Sequence, residues 1–376
     1  MATRRLILFL LPIILDASSF EEFKATQDRQ FKQEKIKFID FKKQEDTAFK
    51  AHLELERKAI KAYQKKLHAL WPTSDLQEAK KLTNYSKDLK TKTMIDFEKN
   101  QIVISKISGK NKVSKDELLK QLDETLKLTT KEAFSQNNLE QKIETLSAPS
   151  KYIKVSKLDK QPLLQATSNS SKLKEASLSK EGDVYKLTYK LPKDSTYKRS
   201  LNYLTAAKSN AVRFNLSTEV LLAIMHSESS FNPMARSHIP AFGLMQIVPR
   251  SAGIDSYKFL YKKRRLLSAS YLYNTKNNIE IGSAYFHILY YKYLSSIKNP
   301  QSRLYCSIAG YNTGAGNVAW AFVRKNNVKK AAKVINKMSP QEVYNHLQNN
   351  LKYDEPKHYL KRVSERSIRY KKLYRL

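Results

Sequence analysis

From Tyr197 to Leu376 apolar residues recur at helical spacing with almost no strand-like alternation, which commits this half of the chain to a helical fold. The segment from Ser217 to Pro233 shows why. Ser217-Thr218 offers an N-cap, and Val220, Leu221, Ile224 and Met225 supply the apolar stripe of a buried helix. Pro233 cannot continue that helix and disfavours helical backbone at Asn232. The run His226-Ser227-Glu228-Ser229-Ser230-Phe231-Asn232-Pro233 therefore places Glu228 in a last helical turn. There the helix dipole opposes negative charge, and burial acts in the same direction. A glutamate lifted from about 4.3 to about 6 stays largely protonated at mildly acidic pH and can give a proton to a leaving oxygen. Taken alone, Glu228 reads first as a solvated glutamate at a helix end, as most surface glutamates are.

Two further runs change its company. In Gly243-Leu244-Met245-Gln246-Ile247-Val248-Pro249, Gly243 permits close backbone approach, Met245 offers a polarizable apolar contact, and Gln246 brings an amide suited to sugar hydroxyls or an N-acetyl group. In Ala309-Gly310-Tyr311-Asn312-Thr313-Gly314-Ala315-Gly316-Asn317-Val318, an aromatic hydroxyl and an amide stand beside three glycines. Each has a plain structural account: Leu244 and Met245 as core, Gly314 and Gly316 as a helix stop, Tyr311 as packing. The glycines also fail as a dinucleotide fingerprint, because Ala319 stands where the third glycine would be.

Together and in this order, the three runs resemble the E-S-x-F-N-P, G-L-M-Q-[IV]-x-P and A-Y-N-x-G-x-G-x-V motifs of the lytic transglycosylases of the goose-type lysozyme-like superfamily. The similarity extends through Ser237-His238-Ile239-Pro240-Ala241-Phe242, Asn277-Asn278-Ile279-Glu280-Ile281-Gly282 and Ser339-Pro340-Gln341-Glu342-Val343-Tyr344, which look like the membrane-bound C-type subfamily. It covers residues 196 to 376 strongly and the preceding segment more loosely. The resemblance implies that Glu228 is general acid and then base, and that Ser237 supports the acid and substrate. It also implies that Met245, Gln246, Tyr311 and Asn312 line a sugar cleft. A fourth motif, E-T-R-x-Y, falls on Glu355-Pro356-Lys357-His358-Tyr359, with Pro356 and Lys357 in place of threonine and arginine, and so brings in Glu355 and Tyr359. Gly310 is a second departure, one that affects backbone freedom rather than chemistry.

The implied reaction needs one essential acid. Glu228 protonates the bridging oxygen of the MurNAc-β-1,4-GlcNAc linkage in peptidoglycan, and the substrate's 2-acetamido group stabilises the anomeric carbon. Deprotonated Glu228 then takes the proton of the C6 hydroxyl, which closes a 1,6-anhydro ring without water. A hydrolase would use two carboxylates. Glu355 is the one other carboxylate in a family motif, so a lysozyme-type muramidase is the second reading. A wall-binding or assembly protein with a vestigial site is the third. No cofactor is implied. With seven scattered histidines, one cysteine and no HExxH or G-x-S-x-G, neither a metal site nor a serine nucleophile is expected.

The chain's 376 residues suffice for two or three domains. Arg4-Arg5, the apolar run Leu6 to Leu15, and the small residues Ala17, Ser18 and Ser19 read as a signal peptide over residues 1–19, too short to span a bilayer, and hence as periplasmic export. The subfamily's lipid-bearing cysteine is not found there. The sole cysteine, Cys306, is expected to be a small core residue.

Residues 20–72, with Phe23, Phe31, Phe38, Phe41, Phe49, Leu53 and Ile60 among Lys, Glu and Gln, read as long amphipathic helices ended by Trp71-Pro72-Thr73. Residues 73–195 read as a small α+β module. It comprises a hairpin of Met94–Phe97 and Gln101–Ile104 turning at Glu98-Lys99-Asn100, a helical stretch from Ser114 to Phe134, and a strand from Val184 to Leu191 after a Ser- and Lys-rich connection at 167–182. The fold class expected is α+β overall, with a mainly α-helical, lysozyme-like catalytic domain at 196–376.

Net charge is +34, and from residue 201 onward 28 Lys and Arg face 8 Asp and Glu. Such a surface seeks polyanions. Lys262-Lys263-Arg264-Arg265 and the tail from Lys361 to Arg375 raise nucleic acid as a partner, but no nucleic-acid fold motif accompanies them. The acidic peptide stems of murein or an anionic membrane surface fit as well, and so do solvated basic helix faces. The oligomeric state is not legible. His226, two residues before Glu228, belongs to another helix face and to a structural or surface role.

Overall fold

The computed structural model describes residues 17–109, 112–146, 152–153, 158–164, 173 and 175–376. The proposed signal run at 4–15 and part of the connection at 167–182 lie outside the described residues. The described residues fall into two compact units, one of residues 17–56 and one that begins at Arg57. The first is the N-terminal part of helix α1 (Ala17–His68), which is a single helix where the sequence suggests several. Its end at His68 precedes the Trp71-Pro72 stop expected from the sequence.

The second unit is α+β. Strands β1 (Lys81–Tyr85), β2 (Thr91–Asp96) and β3 (Gln101–Ile107) form a meander. Helices α2 (Lys115–Leu126), α3 (Thr130–Gln136) and α4 (Asn138–Glu144) and the short β4 (Tyr152–Ile153) follow. Then come β5 (Ser177–Glu181) and β6 (Val184–Lys190). The antiparallel sheet has the order β1-β2-β3-β6-β5, with Ile95 opposite Ile102 and Ile104 opposite Leu187. Period-two burial at Ile102, Ile104, Tyr185, Leu187 and Tyr189 is the alternation that made β3 and β6 legible. At the β2–β3 turn, Asp96 Oδ1 accepts the backbone N–H groups of Glu98 (3.1 Å) and Lys99 (2.8 Å), and Asn100 takes φ +51°. The helical stretch expected over 114–134 is broken: Thr129 starts a new helix by exchanging hydrogen bonds with Glu132 in a capping box.

From Ser195 the chain is helical, as expected. The helices are α5 (Ser195–Phe214), α6 (Thr218–Ser229), a π-helical turn at Pro249–Gly253, α7 (Ile254–Tyr261), α8 (Ala269–Tyr273) and α9 (Thr275–Ile288). After them come α10 (Pro300–Thr313), α11 (Ala315–Val323), α12 (Val328–Ile335), α13 (Pro340–Asn350) and α14 (Asp354–Tyr374). A two-residue strand β7 (Leu266–Leu267) pairs in parallel with β4. One continuous apolar core runs from Leu82, Ile95 and Phe97 of the sheet through Leu221, Ile224 and Met225 of α6 to Val363 and Tyr370 of α14. Cys306 lies fully buried in that core with its thiol pKa raised by burial.

Candidate active site

Helix α6 is buried along nearly its whole length, from Val220 to Met225 and at Ser227 and Ser229, and this fixes Glu228 in its last turn. The helix begins after Ser217, whose side chain makes no capping bond. It stops before Pro233 can act, because Ser230 (φ +51°) and Phe231 (φ +64°) both take left-handed backbone. Arg366 Nη1 on α14 donates to Ser227 Oγ at 2.9 Å, and Ser229 Oγ donates to Leu244 O at 2.8 Å, which ties the helix end to its neighbours.

Glu228 keeps a partial opening to solvent while protein packs closely around its carboxyl. Burial raises its pKa from 4.5 to about 7. Smaller influences come from the facing groups: Tyr359, Arg362 and Lys80 pull it down, and the charge of Glu355 pushes it up. The hydroxyl of Tyr359, a buried residue of α14, lies against this carboxyl within hydrogen-bonding reach, and its own pKa is raised by burial and by the Glu228 charge. Tyr311 is the second phenol whose pKa is raised by Glu228 as well as by burial, and its hydroxyl donates to Met245 O at 2.9 Å.

The loop carrying Met245 and Gln246 is pinned by Asn278, which is fully buried on α9. Asn278 Nδ2 donates to Phe242 O and Leu272 O, both at 2.8 Å, and its Oδ1 accepts Met245 N–H at 2.8 Å. Gly243 passes so close that a Cβ there would lie 2.3 Å from both Asn278 Nδ2 and Leu272 O, and its φ is +75°. Gln246 (φ +47°) returns its amide to Gly243 O at 3.1 Å.

Of the residues singled out from sequence, Glu228, Tyr311 and Tyr359 converge. The Met245 side chain is fully buried and packs against Gly282, so what this residue presents toward Tyr311 is its carbonyl rather than its thioether. Ser237 closes its own turn, donating to Ile239 O and accepting Ala241 N–H, and Asn312 is exposed at the end of α10. Glu355 is exposed and ion-paired with Arg362 at 2.6 Å. His226 is structural: half-buried, bonded through Nδ1 to Tyr370 Oη at 3.0 Å, its pKa driven down to about 2 by desolvation and then by Arg366, Arg199 and Lys80. Sequence reasoning missed Asn278, Lys80 and Arg362. Asn278 stands in a run already quoted, while the other two reach Glu228 only through tertiary packing.

Residues 205–334 match the family model described as the transglycosylase SLT domain. Relatives similar to this chain include proteins named membrane-bound lytic murein transglycosylase C. That of Sodalis glossinidius is 39% identical over 189 residues, 50% of this chain and 52% of the relative. That of Photorhabdus laumondii is 40% identical over 181 residues, 48% and 50% respectively. The chain thus spans about half the length of the curated relatives it matches. Among solved structures, the 70 kDa soluble lytic transglycosylase of Escherichia coli aligns over 46% of this chain and 24% of its own, at 23% identity and a TM-score of 0.35. Glu228, Met245, Gln246, Tyr311 and Asn312 fall inside the SLT segment, whereas Glu355 and Tyr359 lie beyond it.

Proposed function

We propose that this chain cleaves the MurNAc-β-1,4-GlcNAc linkage of peptidoglycan without water, with Glu228 as general acid and then general base. The observation that carries the reading is the Glu228 carboxyl itself, enclosed at the end of α6 with a pKa of about 7. At neutral pH it is poised to be either protonated or ionised, as a group that first gives and then takes a proton needs to be. The protonated form donates to the bridging oxygen as the bond to C1 breaks. The acetamido group of the sugar carries the charge at C1. The carboxylate then removes the C6 hydroxyl proton, and that oxygen bonds to C1 to give the anhydro end. Tyr359 is placed to hold the carboxylate between the two transfers, and Tyr311 shapes the loop by bonding Met245 O. We assign Gln246, Asn312 and Ser237 to the sugar cleft and its rim.

One observation favours a hydrolase: Glu355 is close enough for its charge to act on Glu228. Its exposure and its ion pair with Arg362 suit a carboxylate that tunes the acid better than one that attacks or activates water. Among the described residues no helix is long and apolar enough to cross a membrane. Export to the periplasm through the N-terminal run remains part of this proposal.

Mass spectrometry of fragments released from purified murein tests it. Products lighter than hydrolytic muropeptides by one water, absent with Glu228→Gln, are expected. Reducing ends would make the chain a muramidase, and no release by the unaltered protein would leave wall binding as its work.

A further inference from the structure

Arg199 of α5 is among the largest fully buried side chains, 1% exposed, and none of its acceptors among the described residues is a carboxylate. Burying a guanidinium without a counter-ion is costly, and its pKa falls to about 10 by desolvation. A feature this expensive calls for an account. The guanidinium is spread over two structures that no sequence motif connects. On one side Nη2 donates to Phe97 O at 2.6 Å, Nη1 donates to Asn100 Oδ1 at 3.0 Å, and the guanidinium lies 5.3 Å from the centre of the Phe97 ring. These residues form the β2–β3 turn. On the other side Nε and Nη2 both point to Ser230 O, at 3.4 and 3.3 Å. Ser230 is the second residue after Glu228.

The backbone there is the part of the site least able to hold itself. Ser230 and Phe231 are consecutive non-glycine residues at positive φ, a conformation that persists only where surroundings impose it. The surroundings are the Arg199 fork on Ser230 O and the cage around the Phe231 ring. That ring stacks on Tyr203 of α5 at 5.9 Å and meets Tyr370 edge-on at 6.1 Å. Asn232 adds a second tie toward the sheet side by donating to Ala79 O at 3.2 Å.

We propose that Arg199 is a positioning residue for the Glu228 acid, clamping the strained turn behind it onto the β2–β3 hairpin, so that the sheet module sets the acid's geometry rather than serving as an appendage. This rests on the reading of Glu228 as the acid. A planar five-donor fork can serve both sides at once, and a lysine ammonium cannot. The hairpin side can be released separately, because Asn100 has φ +51°, which glycine adopts without strain.

The test compares the unaltered chain with Arg199→Lys and Asn100→Gly on a soluble GlcNAc-MurNAc oligosaccharide, following kcat, KM and the alkaline limb of the pH profile. Both variants are expected to lose roughly tenfold to a hundredfold in kcat with KM nearly unchanged, as for a small displacement of a reacting group. The limb is expected to move to lower pH as water reaches the loosened carboxyl, with Tyr359, Tyr311, Glu355, Arg362 and Lys80 still facing it. Wild-type kcat and an unmoved limb in both, even with lowered melting temperatures, would reduce Arg199 to a structural contact and overturn the proposal. If the unaltered chain itself releases no anhydro product, the assignment of Glu228 fails instead.

Discussion

Enclosure of the Glu228 carboxyl couples stability, and activity too if the proposed acid role holds, to a single titration. Its folded-state pKa, about 7, stands above its ordinary 4.5, so the native state holds this proton more tightly than the unfolded chain does. The sign follows: stability is fully present below about pH 4.5 and is lost as pH rises through about 7. By the usual conversion this amounts to about 3 kcal/mol as an upper figure, because the residue is not sealed from water. Glu228→Gln removes the ionisation. It should therefore be more stable than the unaltered chain by a few kcal/mol at about pH 8.5, with the gap closing by about pH 4.5. Denaturant unfolding at both pH values checks this, and a gap independent of pH would mean that the carboxyl is not held protonated. The raised pKa of Glu228 at a helix end was legible from the apolar stripe of α6, although the helix ends at Ser230 before Pro233, and burial rather than the helix dipole dominates the shift. Lys80 and Arg362, which pull the other way, were not legible, since nothing local links residue 80 or 362 to residue 228.

At the level of elements, legibility followed local chemistry. The β2–β3 hairpin was readable because Asp96 and Asn100 encode its turn, and α6 because its apolar residues repeat at helical spacing. β1 and β5 were not. Ser177 to Glu181 is exposed along its whole length and carries no apolar alternation, so only its pairing with β6 makes it a strand. The link from α4 to the loop before Gly243 was equally silent. There Arg236 Nη1 donates to Glu140 Oε1 at 2.9 Å, with side chains 9% and 2% exposed, and the guanidinium lies 5.2 Å from the Phe242 ring centre. Removing Glu140 takes away one charged hydrogen-bond acceptor and leaves the Arg236 guanidinium to its other contacts, which costs about 1.5 to 3 kcal/mol. Glu140→Ala should lower stability by that order, while replacing the pair together, Glu140→Leu with Arg236→Met, should recover most of it. Thermal or denaturant unfolding of the two variants separates these outcomes. Equal losses in both would show that the carboxylate contributes packing rather than charge.

On the scale of the whole chain, the α+β class and the helical C-terminal half came from periodicity, whereas the unbroken core from Leu82 to Tyr370 did not, because a core that joins sheet and helices depends on contacts distant in sequence. Charge is the other property of the whole. With a net +34, many cations must face water, and helix α14 shows how. Tyr359, Leu360, Val363 and Tyr370 are buried on one side while Lys361, Arg369, Lys371 and Lys372 stay exposed. Exposed charges of one sign act over about 10 Å at 0.1 M salt and over about 3 Å at 1 M. If the proposed substrate is held partly by its acidic stems, retention on purified murein should fall steeply, by roughly tenfold or more, between low and high salt. In the proposed reaction the chemical step depends instead on the enclosed Glu228 carboxyl, which bulk ions screen far less. The kcat for a short soluble fragment should therefore change little over the same range. Sedimentation with wall sacs and turnover of the fragment, measured side by side, decide the matter. Retention indifferent to salt would assign the basic faces to solubility alone, and a kcat that falls together with retention would mean that screened surface charge reaches the acid itself.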